Sequence, residues 1–295
     1  MTDSAPAIVC FGEVLWDVFP DKSLLGGAPL NVAMRLHSLG VKSHIISSVG
    51  GDSLGDQVIS QLASHDFPTA TLAKHESLPT GQVSVSLKDG IPSYTIESPV
   101  AWDDIEANQQ ALEAVRNAQA LVFGSLAMRS SPNFDQLKTL IHNDLDLIFD
   151  INLREPFYTD TSIMELVALA DIIKLNDEEL EYMRHLYNID GTDIDDILSQ
   201  LSETTKTPII CVTLGSNGAI LFKENKAYHH PGYPVTVADT VGAGDSFLAG
   251  LIFGLYAKHD PQSCLDLACA LGALVASKSG AICTVTQEEI KAIQA

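Results

Sequence analysis

Residues 238–247 read ADTVGAGDSF and place a carboxylate behind two glycines at the start of an apolar helical pattern. Gly242 and Gly244 let backbone approach a ligand closely. The helix that follows aims unpaired N–H groups and its positive dipole end back at them, so Gly242, Ala243 and Gly244 form an anion site. Asp245 stands at its lip. A carboxylate beside a phosphate-sized anion can accept the proton of a hydroxyl attacking phosphorus. The same residues also suit a plain turn with Asp245 as helix N-cap. The stretch is not a Walker A loop, since no G-K-[ST] follows. It is not a dinucleotide fingerprint either, since it lies far from the first strand.

Four other stretches carry polar groups suited to the same chemistry. In LGGAPLNVA, residues 25–33, paired glycines at Gly26 and Gly27 precede a helix whose first turn holds Asn31. An amide there can both donate to and accept from sugar hydroxyls, and Asp17 upstream could accept from two of them. A Gly-Gly turn with a helix-start proline and a capping asparagine accounts for the stretch equally. Asp150, Asn152 and Arg154 alternate, which predicts one shared face at a strand end, with a surface ion pair as the alternative. Asn176 and Glu179 in KLNDEE are spaced as a capping box, or as organisers of water around Mg²⁺ with Lys174 nearby. Thr213, Gly215 and Gly218 in VTLGSNG turn a strand end through two glycines, either to line an adenine nucleotide or as a simple loop.

For these side chains to converge, strands must end near one another. Ala7–Phe11, His44–Val49, Ala120–Phe123, Leu147–Asp150, Asp171–Leu175 and Ile209–Leu214 read as buried strands. Helices are predicted over Leu30–Leu39 (stopped by Gly40), Leu54–Ala63, Phe134–His142, Ser162–Ala168, Glu178–His185, Val241–Lys258 and Ser263–Lys278. This alternation predicts βαβ units: a parallel sheet with helices on both faces and its ligands beyond the strands' carboxyl ends. Val83, Val85 and Leu87 alternate with polar residues, and an Asp89-Gly90 turn leads to Ser93–Glu97, a half-exposed hairpin.

The 295 residues, 46% apolar, suit one α/β domain spanning 1–295. A formal charge of −21, from 38 acids against 17 bases, excludes nucleic acid and anionic membrane surfaces as partners. Any anionic ligand needs oriented amides, a local cation or a metal. MTDSAPAIV has no basic leader region, and the apolar run Leu267–Ala276 is far shorter than the ~20 residues of a spanning helix. The five cysteines form no C-x-x-C pair, and the nine histidines do not join them at zinc spacing. Reduced thiols in a cytoplasmic protein are expected.

The order of the motifs is more telling than any one of them. GE-x-x-x-D from Gly12, then GGAPLNVA, D-x-N-x-R, KLNDEE, VTLGSNG and DTVGAGDSF resemble the ribokinase-like, pfkB-type carbohydrate kinases over nearly the whole chain. Gly12-Glu13, GGAPLNVA and the stretch from Pro92 to Asp103 look most like bacterial fructokinases. The resemblance implies a ribokinase-like three-layer α/β fold with a small β lid from strands at about 13–25 and 81–97. It implies ATP and Mg²⁺ and a sugar acceptor; separately, the lid's bare strand edges predict a homodimer through the lid. It makes Asp245 the base and Gly242, Ala243 and Gly244 the anion-hole residues. Asp17, Gly27, Asn31 and Arg154 become sugar- or phosphate-binding. Asn176, Thr213, Gly215 and Gly218 border the nucleotide, and Glu179 supports Mg²⁺ through water. Members often bind a monovalent cation near the equivalents of Asp239 and Gly280. Lys278 and Thr284 flank that segment here, which leaves K⁺ open. D-fructose is the expected acceptor, with 2-keto-3-deoxygluconate, ribose or a nucleoside as alternatives. A sugar- or nucleotide-binding regulator would not need Asp245, and a Rossmann oxidoreductase would need its glycine fingerprint.

Overall fold

The structure, a computed structural model, describes residues 7–88 and 91–295. The Asp89-Gly90 turn and the first six residues lie outside them, as do the side chains of the alternating residues Val85 and Leu87. The first part of the chain forms β1 (Ala7–Phe11), β2 (Leu15–Val18), β3 (Ser23–Gly26), α1 (Ala28–Ser38), β4 (Lys42–Gly50), α2 (Ser53–Ser64), β5 (Leu72–His75), β6 (Gly81–Lys88) and β7 (Ile91–Ile96). There follow α3 (Gln109–Arg116), β8 (Ala120–Gly124), α4 (Ser131–Leu140), β9 (Asp146–Asp150), α5 (Asp160–Val167), β10 (Ile172–Asn176), α6 (Asp177–Tyr187) and α7 (Ile194–Thr205). The chain closes with β11 (Ile209–Thr213), β12 (Ala219–Lys223), β13 (Lys226–His230), α8 (Ala243–Tyr256), α9 (Pro261–Ala276) and α10 (Gln287–Ile293).

Among the described residues, nine strands form the main sheet in the order β13-β12-β11-β10-β9-β8-β1-β4-β5. From β11 to β5 all neighbours are parallel, and β12 and β13 add an antiparallel edge. The expected parallel sheet is therefore present. Strand order reverses where β1 lies between β4 and β8, and such a switch opens a crevice at the strands' carboxyl ends. The strands are apolar on both sides because helices cover both. Val9 and Phe11 face a core shared with α3 to α7, while Ile8 and Cys10 face a core shared with α1, α2, α8 and α9.

A second sheet, ordered β3-β2-β6-β7, is built by the two segments expected to form the lid. In it β2 pairs antiparallel with β3 and parallel with β6, and β6 and β7 form the hairpin. Helix α1 ends at Ser38 with Leu39 as its C-cap, and Gly40 after it takes φ 83°, the left-handed value that follows a helix stop. Helices α3 and α7, and the edge strand β13, were not separated from their surroundings by sequence pattern alone. Four of the five cysteines are buried and Cys283 is half-buried; all are free thiols.

Candidate active site

Four segments converge at the carboxyl ends of β1, β9 and β10. Gly242 forms the N-cap of α8 with φ 76°, and an added Cβ would sit 2.3 Å from the Ala281 methyl. The helix begins at Ala243, and Asp245 lies in its first turn with no capping hydrogen bond. The capping alternative for Asp245 is therefore not what forms. The Ala243 amide donates to the Thr240 carbonyl at 3.2 Å, whereas the Gly244 and Asp245 amides have no acceptor among the described residues. Of the three expected amides only that of Ala243 is paired; those of Gly242 and Gly244, and of Asp245 beyond them, have no acceptor among the described residues. Asp239 braces this turn: its Oδ1 accepts from the Val241 amide at 3.0 Å and its Oδ2 from the Gly280 amide at 3.1 Å.

Asp245 Oδ2 accepts from Asn31 Nδ2 at 2.8 Å, across 214 residues of sequence. Asn31 is buried in α1, does not cap it, and keeps a buried Oδ1 without a partner. Burial, then the negative charge of Asp150, pushes the Asp245 carboxyl up to about 6; Asn31, Lys174 and Arg154 oppose the rise. Gly27, the N-cap of α1, has φ 114°, and an added Cβ would lie 2.2 Å from the Glu13 carbonyl oxygen. Only glycine fits there. Asp17 Oδ2 sits 2.5 Å from where a Cβ on Gly26 would stand, which puts Asp17 against the paired glycines. Burial raises its carboxyl to about 6, against the pull of Arg154.

Asp150 and Lys174 pair across adjacent parallel strands, Nζ to Oδ1 at 2.9 Å, both almost fully buried. Burial works to lower the Lys174 pKa. The charges of Asp150, Glu179 and Asp245 outweigh it, so the ammonium titrates above its usual range. Asp150 Oδ2 is buried without a donor. Glu179 and Asn176 do form a reciprocal capping box at the start of α6, with the Asn176 amide donating to Oε2 at 2.9 Å. Glu179 Oε1 also accepts from the Leu153 amide at 2.9 Å. This capped helix start stands at the carboxyl end of β10, since α6 follows that strand directly. Burial, then Asp150, raises the Glu179 carboxyl.

The predicted shared face of Asp150, Asn152 and Arg154 does not form. Strand β9 ends at Asp150, and Asn152 takes φ 41°, which breaks the two-residue alternation. Arg154 is exposed and its NH1 donates to the Leu153 carbonyl at 2.8 Å. It forms no ion pair among the described residues, yet its charge acts on Glu13, Asp17 and Asp245. Thr213 ends β11 beside Asn176 in register. Gly215 and Gly218 turn the chain into β12, and Gly218 lies so close to the His230 carbonyl that a Cβ there would be 1.9 Å from it.

Glu13 and Lys174 contribute beyond what their motifs suggested. Glu13 Oε1 accepts from the Ala28 amide at 3.3 Å, its Oε2 is buried and unpartnered, and burial raises its carboxyl to about 7. A lysine inside the apolar run DIIKLN was the available signal for Lys174, since a buried ammonium demands a partner. Among the described residues, no group of three His, Cys, Asp or Glu side chains could hold a metal ion. No helix there is long and apolar enough to cross a membrane.

The chain is similar to known kinases along nearly its whole length. It is 30% identical to the fructokinase of Escherichia coli over 294 residues, covering 92% of this chain and 93% of that protein. A sugar kinase of Pyrococcus horikoshii solved with ATP superposes with a TM-score of 0.83 at 28% identity, over 97% of this chain and 99% of that one. The fructokinase of Vibrio cholerae O395, bound to fructose, ADP and calcium, superposes with a TM-score of 0.84 at 26% identity, over 99% and 100% of the two chains. Residues 7–287 match the model of the pfkB family carbohydrate kinases, and the chain belongs to that family.

Proposed function

We propose that this sugar kinase transfers the γ-phosphoryl group of ATP to a primary hydroxyl of D-fructose. The carrying observation is the position of Asp245: half-buried, hydrogen-bonded to Asn31, and one residue from the unpaired Gly244 amide. Asp245 takes the hydroxyl proton as the sugar oxygen bonds to the γ-phosphorus; the bond from that phosphorus to the β-γ bridging oxygen breaks and ADP leaves. The Gly244 and Asp245 amides face the transferring group at the positive end of α8. Asn31 Oδ1, without a protein partner, and Asp17 bind sugar hydroxyls beside Gly27, and Arg154 covers them. Asn176, Thr213, Gly215 and Gly218 border the nucleotide.

The donor set suits Mg²⁺ held largely by phosphate and water: Glu179 and the unpartnered Asp150 Oδ2 are oxygens at that end of the cleft. Bound there, Mg²⁺ would neutralise charge on the β- and γ-phosphates. Asp239 gives both oxygens to backbone amides, so a monovalent cation such as K⁺ in that loop would rest on carbonyl oxygens. The whole chain 1–295 acts as one kinase unit in the cytoplasm, with the second sheet as a lid that excludes water from the sugar.

The reading is tested with purified protein, ATP, Mg²⁺ and a panel of fructose, ribose, 2-keto-3-deoxygluconate and a nucleoside, with and without K⁺ and with EDTA. Release of ADP with fructose, abolished by EDTA, is expected. ADP release with another acceptor and none with fructose would overturn the choice of sugar.

A further inference from the structure

Arg35 is only 4% exposed, yet no carboxylate pairs with it among the described residues. Its partners are neutral. Nε donates to Ser246 Oγ at 3.1 Å, and NH2 donates to the carbonyls of Cys283 at 2.9 Å and Ala281 at 3.4 Å. NH1 reaches Ser38 Oγ at 3.5 Å, and Cys283 Sγ lies 3.7 Å from NH2. A buried cation that lacks a counter-ion is expensive to keep, so its place calls for a reason.

Its position in α1 supplies one. Asn31 and Arg35 are four residues apart and lie on one helix face. They grip consecutive residues in the first turn of α8: Asn31 binds Asp245, and Arg35 binds Ser246. The second arm of Arg35 holds residues 281–283, and Ala281 is the residue against which Gly242 packs. One guanidinium therefore ties the sugar-side helix, the helix carrying Asp245 and the wall behind the glycine turn. Its charge, which no acid pairs with among the described residues, adds to the positive end of α8.

We infer that Arg35 is a positioning residue for phosphoryl transfer: it locks the Gly244 amide and Asp245 into one geometry and strengthens the field felt by the transferring group. The inference rests on the sugar-kinase reading above, and its test separates the two. Turnover by the unmodified enzyme on the sugar panel tests that reading alone. Arg35→Met is expected to lower kcat about 10²-fold, the scale of misplaced reacting groups, with the sugar KM within about threefold. Arg35→Lys, which keeps the charge, should recover about tenfold of that loss.

Affinity for ADP with aluminium fluoride, a planar phosphoryl mimic, is read without any acceptor. It should fall at least ~30-fold in Arg35→Met while affinity for ADP alone changes less than ~3-fold. Ser246→Ala removes one bond and leaves the charge buried. It should lower kcat about 3–10-fold with a melting temperature within about 2 °C of the parent, which keeps the inference testable if Arg35→Met does not fold. Unchanged kcat in Ser246→Ala, a loss confined to KM, or equal weakening of ADP and its fluoride complex would each overturn it.

Discussion

Replacing Asp245 by asparagine is expected to make the protein more stable while removing its activity. Burial and the Asp150 charge move this carboxyl from 3.8 to about 6. At about 1.36 kcal/mol per pKa unit, keeping it ionised at pH 7.5 costs the fold about 3 kcal/mol. Part of that strain is shared with Asp150, so the expected gain is about 1–3 kcal/mol. The sign follows from proton linkage. The native state holds this proton more tightly than the unfolded chain does, so Asp245 costs nothing below its unfolded pKa. The cost grows as pH climbs from about 3.8 toward 6, and it is constant above that. The variant has no such proton, and its amide oxygen can still accept from Asn31 Nδ2. Urea denaturation of both proteins between pH 4 and 7.5 reads the difference. It should be near zero at pH 4 and reach about 1–3 kcal/mol at pH 7.5, or roughly 2–8 °C in melting temperature. In the same variant kcat should fall about 10²–10⁴-fold, the range for loss of a general base. A variant that is less stable at pH 7.5, one equally stabilised at pH 4, or one with near-normal turnover would refute the reasoning.

Since Asp245 and Asp17 both titrate near 6 and act as carboxylates, kcat/KM should fall on the acid side of about pH 6. Lys174→Met removes a cation that holds the Asp245 pKa down, so a pH–rate profile should show that acid limb displaced to higher pH; an unmoved limb would separate Lys174 from the base. The lid sheet leaves β3 and β7 as edge strands, and exposed edges seek partners. A homodimer through the lid is expected, and a monomer mass by light scattering at assay concentration would remove it.

Much of the architecture was legible because apolar runs of strand length alternate with helical periods, and helices on both faces make such strands apolar throughout. The GAGD turn was legible because it is local: a glycine needing φ 76°, a helix start and an acid lie within a few residues. The stretch after β9 was misread because alternation was extended past Asp150, where Asn152 enters left-handed space and redirects the chain. The one local signal is that Asn152 is an asparagine, a residue that tolerates left-handed φ. Asn31 and Asp245 could each be suspected, but their bond joins α1 to α8 across 214 residues, and no spacing rule reports a contact of that range. Glu13 and Arg35 were hidden for a related reason. Each looks like an ordinary helix or loop charge until burial shows that water cannot solvate it.

A charge of −21 and the proposed nucleotide substrate are reconciled by the positions of the cations. Of 17 lysines and arginines, Lys174, Arg154 and Arg35 all act near the first turn of α8. Lys174 is buried beside an acid that holds it protonated, Arg154 is free at the surface, and Arg35 is buried among neutral acceptors. Opposing them are Asp150, Glu179, Glu13 and Asp245, several of which burial biases toward the neutral form. A phosphate group arriving there would therefore meet a field set by a few fixed charges and the unpaired amides of the glycine turn, with little screening by water. The acidic remainder of the surface lies in high dielectric, where salt weakens it within about 10 Å. Net charge thus bears on the surface as a whole, while the site's polarity is decided locally by which charges are kept from water.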